Sequence, residues 1–188
     1  MNVIVAGEES GTIREAFARR GHNAWSCDVK PSRRRGNHYV GSWRDIEPSA
    51  WDLLIAHPEC THLSVSGARW FAEKRADGRQ QAAIDEFMFL VQLARRVGRG
   101  SIEQPISIMS RLYRKPDQII QPWQFGHGET KATCLWLEGD IKPLRPTRIV
   151  EGRSPRVHRM APGPNRARDR SETYAGIAEA MAEQWGAA

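Results

Sequence analysis

Apolar residues recur along this chain in two alternating rhythms. Val3-Ile4-Val5-Ala6 is a short β-branched run closed by Gly7, which predicts a buried strand. Gly11-Thr12 then precede Ile13, Ala16, Phe17 and Arg20, the spacing of a helix that stops at Gly21. Ala24-Trp25-Ser26-Cys27-Asp28 reads as a second strand ending in an acid, and Trp51–Ala56 as a further buried strand ended by His57-Pro58. From about Gln80 to Val97, Ala83, Ile84, Phe87, Met88, Leu90, Val91 and Ala94 follow helical spacing until Gly98 and Gly100. Ser101-Ile102-Glu103 is a brief strand stopped by Pro105. Beyond it the rhythm is less regular: Ile119-Ile120, Cys134–Leu137 and Arg148–Val150 look like three more strands among turns. Tyr174, Ile177, Ala178, Met181 and Trp185 close the pattern as an amphipathic helix.

Strands alternating with helices predict right-handed βαβ units, hence an α/β, Rossmann-like fold with a mostly parallel sheet flanked by helices. No internal repeat or low-complexity linker divides residues 1–188, so one domain is expected, large enough to fold without disulfides or a structural metal. Trp25, Trp51, Trp136 and Trp185 fall in strand or helix patterns and are assigned to its core. The three cysteines, Cys27, Cys60 and Cys134, are odd in number and widely spaced, against a disulfide framework. No apolar run approaches the ~20 residues of a membrane span. The first apolar run has no basic lead and reads as a strand rather than a signal peptide. A reduced, cytoplasmic protein is expected, with no membrane partner and an oligomeric state that the pattern leaves open.

Charge narrows the partner. Lys and Arg number 28 against 22 Asp and Glu, a net charge of +6. Between Arg145 and Arg170 eight arginines face only Glu151 and Asp169, so this segment alone matches the whole excess. Arg33-Arg34-Arg35 is a second knot. Arginine grips phosphate bidentately, which points to nucleic acid or a nucleotide; a solvated face would have the same composition. Pro146, Pro155, Pro162, Gly163 and Pro164 predict a segment that is mostly extended or looped.

Ligands of open parallel sheets bind at the carboxyl ends of strands, where chemistry is therefore sought. Gly7-Glu8-Glu9-Ser10-Gly11 after the first strand and Asp28 after the second form the arrangement that holds an adenosine cofactor. Glu8-Glu9 would repel a pyrophosphate and tolerate a zwitterion, which favours S-adenosylmethionine over NAD. After Trp51–Ala56 comes His57-Pro58-Glu59-Cys60-Thr61-His62-Leu63-Ser64-Val65-Ser66-Gly67, where Cys60 stands in a polar, His-flanked loop suited to a nucleophilic thiolate. Cys27 and Cys134 lie in apolar strand patterns and read as packing residues. Glu103 brings a carboxylate to the same rim.

In order and spacing these pieces resemble the DNA cytosine C5-methyltransferases, and most closely a compact branch found in phage genomes. The family's F-A-G-x-G-G turn is matched loosely by Val5–Gly11 and its second-strand acid by Asp28. The catalytic P-C-Q-x-x-S-x-x-G loop is matched at Cys60, Ser64 and Gly67, with Glu59 where the family has proline. E-N-V is matched by Glu103 in Glu103-Gln104-Pro105, and Q-x-R-x-R by Glu129 and Lys131. The acid ending the family's third strand is displaced to Asp45, past Gly41-Ser42. The resemblance implies Cys60 and Glu103 as catalytic, with Cys60 attacking C6 of cytosine. It implies S-adenosylmethionine held by Ala6, Gly7, Glu8, Ser10, Gly11, Asp28, Asp45, Pro58 and Tyr174. The substrate, DNA or a pyrimidine nucleotide, falls to Ser64, Gly67, Arg69, Lys131, Arg153, Arg156 and Arg159. The family's separate target-recognition domain has no counterpart between Lys131 and the arginine segment, so backbone contacts would position the DNA without specifying sequence. The target base would be flipped or already unpaired.

Other readings share these residues. His57, Cys60 and His62, with His127 and Cys134, could be weighed as a zinc site, but H-x-x-C-x-H is not a trusted ligand spacing, and no metal is expected. A free pyrimidine nucleotide as substrate, or a non-catalytic nucleic-acid-binding relative, are the alternatives to DNA methylation. Trp123 and Phe125 in Gln121–Lys131, like Trp70-Phe71 beside Arg69, could either stack on a base or pack a turn.

Overall fold

The computed structural model describes residues 1–187. Seven strands form one sheet in the order β3-β2-β1-β4-β5-β7-β6. They are β1 (Asn2–Ala6), β2 (Asn23–Asp28), β3 (His38–Val40), β4 (Leu53–Ala56), β5 (Arg99–Pro105), β6 (Gln118–Ile120) and β7 (Thr133–Gly139). The first five are parallel, and β7 runs antiparallel to both β5 and β6. This is the expected Rossmann-like, mostly parallel sheet. Helix α1 (Thr12–Arg19) crosses from β1 to β2 on one side, and the chain then returns past β1 to β4 on the other. The switch point between β1 and β4 is where such sheets open to a ligand.

Helices cover both faces, which is why the central strands are apolar at every position rather than at alternate ones. Val3 and Val5 of β1 turn toward α1 and the final helix α7 (Ala175–Gly186); Ile4 and Ala6 turn toward α3 (Arg79–Val97). Trp136 and Trp185 are buried as expected, whereas Trp25 and Trp51 are half-buried at the margin of the core. Cys27 and Cys134 are buried packing residues.

Two expectations are corrected. Arg148–Val150 is not a strand: Thr147 and Arg148 N–H both donate to Gln124 O, and Val150 N–H to Trp123 O. The segment thus pairs with an irregular turn, and Pro146 and Gly152 bound it too closely for a ladder. The basic segment is not purely extended either, since α5 (Arg156–Arg159) and α6 (Arg166–Ser171) interrupt it. Its prolines limit these to one or two turns. Two further short helices, α2 (Phe71–Ala76) and α4 (Met109–Leu112), were not legible as periodic runs.

Candidate functional site

The rim at the carboxyl ends of β1, β2, β4 and β5 gathers most of the expected residues. Gly7 follows β1 with φ +75°, and its N–H donates to Cys27 O at 2.7 Å. A Cβ there would lie 2.4 Å from His57 O, so only glycine lets the two loops meet. Their junction is closed by His57 N–H donating to Ala6 O at 2.9 Å.

The side chains of the first turn point into the protein, contrary to the expectation that Glu8 and Ser10 face a cofactor. Glu8 is buried and accepts from Ile13 N–H at 2.6 Å and Arg14 N–H at 3.2 Å, while Ser10 Oγ accepts from Thr12 N–H at 3.2 Å. They cap α1, whose N-cap Gly11 has no side chain to do so. Burial pushes the Glu8 carboxyl pKa up, opposed by the bond from Ile13. The helix N-terminus that a pyrophosphate would use is thereby filled by the chain's own carboxylate. Arg14, also buried, donates to Ser26 Oγ (3.0 Å), Ser32 Oγ (3.0 Å) and the Arg34 and Arg35 carbonyls (2.9 and 2.8 Å), fastening the loop after β2. Gly11 leaves room for it: a Cβ would stand 2.6 Å from Arg14 Nη2.

Asp28 ends β2, with Oδ1 accepting from Lys30 N–H at 3.0 Å; Asp45 Oδ2 accepts from Tyr39 OH at 3.1 Å. Both carboxylates bear on Cys27, whose thiol is pushed up to about 11 by burial first and by these two charges after it.

The Cys60 loop is held from behind by several elements. Gln104 Nε2 donates to Pro58 O at 3.0 Å and Glu59 O at 3.3 Å; Glu86 accepts from Glu59 N–H at 2.8 Å. Lys74 Nζ donates to Thr61 O at 2.6 Å, and Gln80 Nε2 to His62 O at 3.1 Å. Ser64 bridges to Ser107, and its hydroxyl shares a hydrogen with Ser66 at 2.9 Å. Gly67 has only ordinary contact in prospect for a side chain, Lys74 Nζ at 3.5 Å being nearest, so the fold does not require glycine there.

Within this frame Cys60, Glu103 and Lys131 share one electrostatic neighbourhood. Burial raises the Cys60 thiol pKa, and Glu59 raises it further; Lys131 and Arg170 act in the opposite sense. Burial lowers the Lys131 ammonium pKa, with Glu103 and Cys60 opposing. Lys131 Nζ donates to Glu172 O at 3.2 Å and lies 5.9 Å from the Tyr174 ring centroid. The pairing of Ala56 with Ile102 sets His57 level with Glu103, and His57 Nδ1 stands 3.4 Å from Glu103 Oε2. Among the described residues, four buried polar atoms of this loop and the adjoining end of β5 have no hydrogen-bond partner: His57 Nε2, His62 Nδ1, Glu103 Oε2 and Gln104 Oε1. Such atoms are costly unless something polar meets them.

Other expected residues lie elsewhere. Tyr174 donates its hydroxyl to Glu129 Oε2 at 2.5 Å, and burial first, then this bond, push its pKa up to about 12. Glu129 also accepts from Arg156 Nε at 2.9 Å, so Arg156 is committed inside the chain. Arg153 stacks over Trp123 at 4.0 Å and Arg69 over Trp70 at 5.1 Å; Arg159 is exposed. Phe125 is buried core, which settles that half of the Trp123-Phe125 pair as packing. Arg33 and Arg34 are tied to Glu172, Glu9 and Glu15, and so are structural rather than free for a polyanion. Among the described residues no group of three His, Cys, Asp or Glu side chains is placed to hold a metal ion. His57, Gln104, Arg170 and Glu172 join the rim without having been assigned to it from sequence.

No protein-family model and no curated protein sequence matches the chain. Among solved structures, a triple mutant of Spodoptera frugiperda DNMT2 is similar at 10% identity and a TM-score of 0.42. The similarity covers 81% of this chain and 54% of that one, so the chain spans about half the length of that structure.

Proposed function

We propose that the chain is an S-adenosylmethionine-dependent methyltransferase that modifies C5 of cytosine in a polynucleotide through Cys60. The observation that carries this reading is the convergence of Cys60, Glu103 and Lys131 on the sheet rim, with a buried Glu103 oxygen that accepts no hydrogen bond and has only His57 Nδ1 beside it, at 3.4 Å. A cytosine offers the missing complement, an amine and a ring nitrogen side by side.

The rim suits the proposed cofactor on two counts. Glu8 occupies the α1 N-terminus and so excludes a pyrophosphate, and the acids Asp28 and Asp45 border the place where ribose hydroxyls would be met. Gly7, Gly11, Asp28, Asp45 and Pro58 are the residues that would hold it, mainly through backbone at the turn. S-adenosylmethionine supplies, when bound, an electrophilic methyl group. The chain's own residues make C5 reactive. Cys60 Sγ adds to C6 as the thiolate, and a proton held at Glu103 moves to N3, so the ring's electron pair is directed to C5. Once C5 has taken the methyl group, elimination of Sγ, with the C5 proton released to solvent and the N3 proton returned to Glu103, would restore the ring and the enzyme. This divides one difficult substitution into two easier steps. Gln104 fixes the loop carbonyls beside Cys60, and Lys131 stabilises the thiolate against Glu59.

Calorimetric titration of S-adenosylhomocysteine into the folded protein tests the cofactor class, and micromolar binding is expected. An oligonucleotide containing 5-fluorocytosine should then trap wild type covalently but not Cys60→Ser, whose cofactor affinity stays nearly unchanged. No cofactor binding in folded protein would overturn the reading.

A further inference from the structure

Behind the Cys60 loop lies a groove of about 540 Å³ between α2, the first turns of α3, and α4, bounded by Phe71, Arg75, Gln80, Ile84, Arg111 and Leu112. We propose that it holds the unpaired strand of a polynucleotide flanking the base that reaches Cys60. This rests on the polynucleotide-substrate reading and deepens it.

Three observations select this occupant. First, the groove adjoins the Cys60 loop: Gln80, on its floor, donates to His62 O, and Val65 N–H donates to Ile106 O at 3.0 Å, joining that loop to the segment that leads into α4. Second, its charge is positive and uncompensated. Glu73 and Asp77, the acids of that turn, are both engaged by Arg79. Arg75 and Arg111, which line it, have no ion-pair partner among the described residues, so they are free for phosphates. Third, apolar and ring surface that a core would bury is exposed at or next to it: Leu112, which lines it, is 58% exposed, and Trp70, the chain neighbour of the lining Phe71, is 50% exposed. Aromatic faces beside a cationic groove are what unpaired bases stack on, whereas a paired duplex presents them no base face.

The test is fluorescence anisotropy of a labelled oligothymidylate and of a labelled duplex, with the full chain and no cofactor. Trp70→Ala should weaken oligothymidylate binding about tenfold, the loss expected for one stacked base. Arg75→Glu with Arg111→Glu, both exposed, should weaken it at least as much and flatten its salt dependence. Duplex affinity should change little in either variant. Equal loss for duplex and single strand, or unchanged oligothymidylate binding in folded variants, overturns the proposal. Self-association abolished by Arg75→Glu would instead make the groove an interface between copies, and also overturns it. Because the assay contains no cofactor and reads no methyl transfer, failure of the methyltransferase reading would show separately, in the titration of S-adenosylhomocysteine.

Discussion

A half-buried thiol beside a carboxylate is a poor nucleophile at neutral pH, and Cys60 is in that position except for Lys131 and Arg170. Removing the adjacent charge in Glu59→Gln should therefore lower the thiol pKa and speed alkylation by iodoacetamide at neutral pH several-fold, about the effect of one nearby charge. Lys131→Met should slow it. The same variant should raise stability by about 1 kcal/mol in chemical denaturation, since burying an ammonium costs more than burying a thioether. The sign of the pH dependence follows: a lysine whose folded pKa is depressed binds fewer protons folded than unfolded. Wild-type stability thus gains from Lys131 as pH rises through the folded value toward the ordinary one, and Lys131→Met loses that gain. Cys60, Glu103 and Lys131 were legible in the sequence because each stands at a strand end or an expected motif. Glu8 was not: an acid after a glycine turn looks the same whether it meets a ligand or caps a helix, and only the α1 amides decide it.

The central strands and long helices of the first half were legible as periodic patterns because both sheet faces are covered and the runs are unbroken, whereas the three-residue edge strand β3, with exposed Tyr39 and Val40, carries no such run. The second half was harder, since its segments pair with turns. The start of α7 depends closely on one position. Gly176 N–H donates to His127 Nε2 at 2.9 Å, and a Cβ on Gly176 would fall 1.9 Å from Phe125 O. Gly176→Ala should cost about 2–3 kcal/mol, read as a shifted denaturant midpoint without a changed slope. Because Nε2 accepts that bond, His127 must stay neutral, and burial keeps its pKa below the ordinary histidine value. Its contribution is complete above that value and is lost as pH falls from there through the lower folded one. His127→Leu should flatten this part of the stability profile.

Across the whole molecule, one carboxylate gathers the rim. Glu172 Oε1 accepts from Thr12 Oγ1 at 3.2 Å, its two oxygens meet Arg33 and Arg34 at 3.0 and 3.4 Å, and its carbonyl holds Lys131. Glu172→Ala should cost about 1–2 kcal/mol and make the 160–164 segment a faster proteolytic site, an effect that high salt imitates in wild type. No sequence rule marks this residue, whose partners lie 41 to 160 positions away. The clasp also imposes an order on synthesis. A ribosome delivers the Cys60 loop long before it delivers residue 172, and until then Lys131 has no carbonyl to hold it and Arg170 does not exist. The surroundings of Cys60, a fixed Lys131 and the charge of Arg170, are therefore assembled last, only once the segment that leads into α7 can dock.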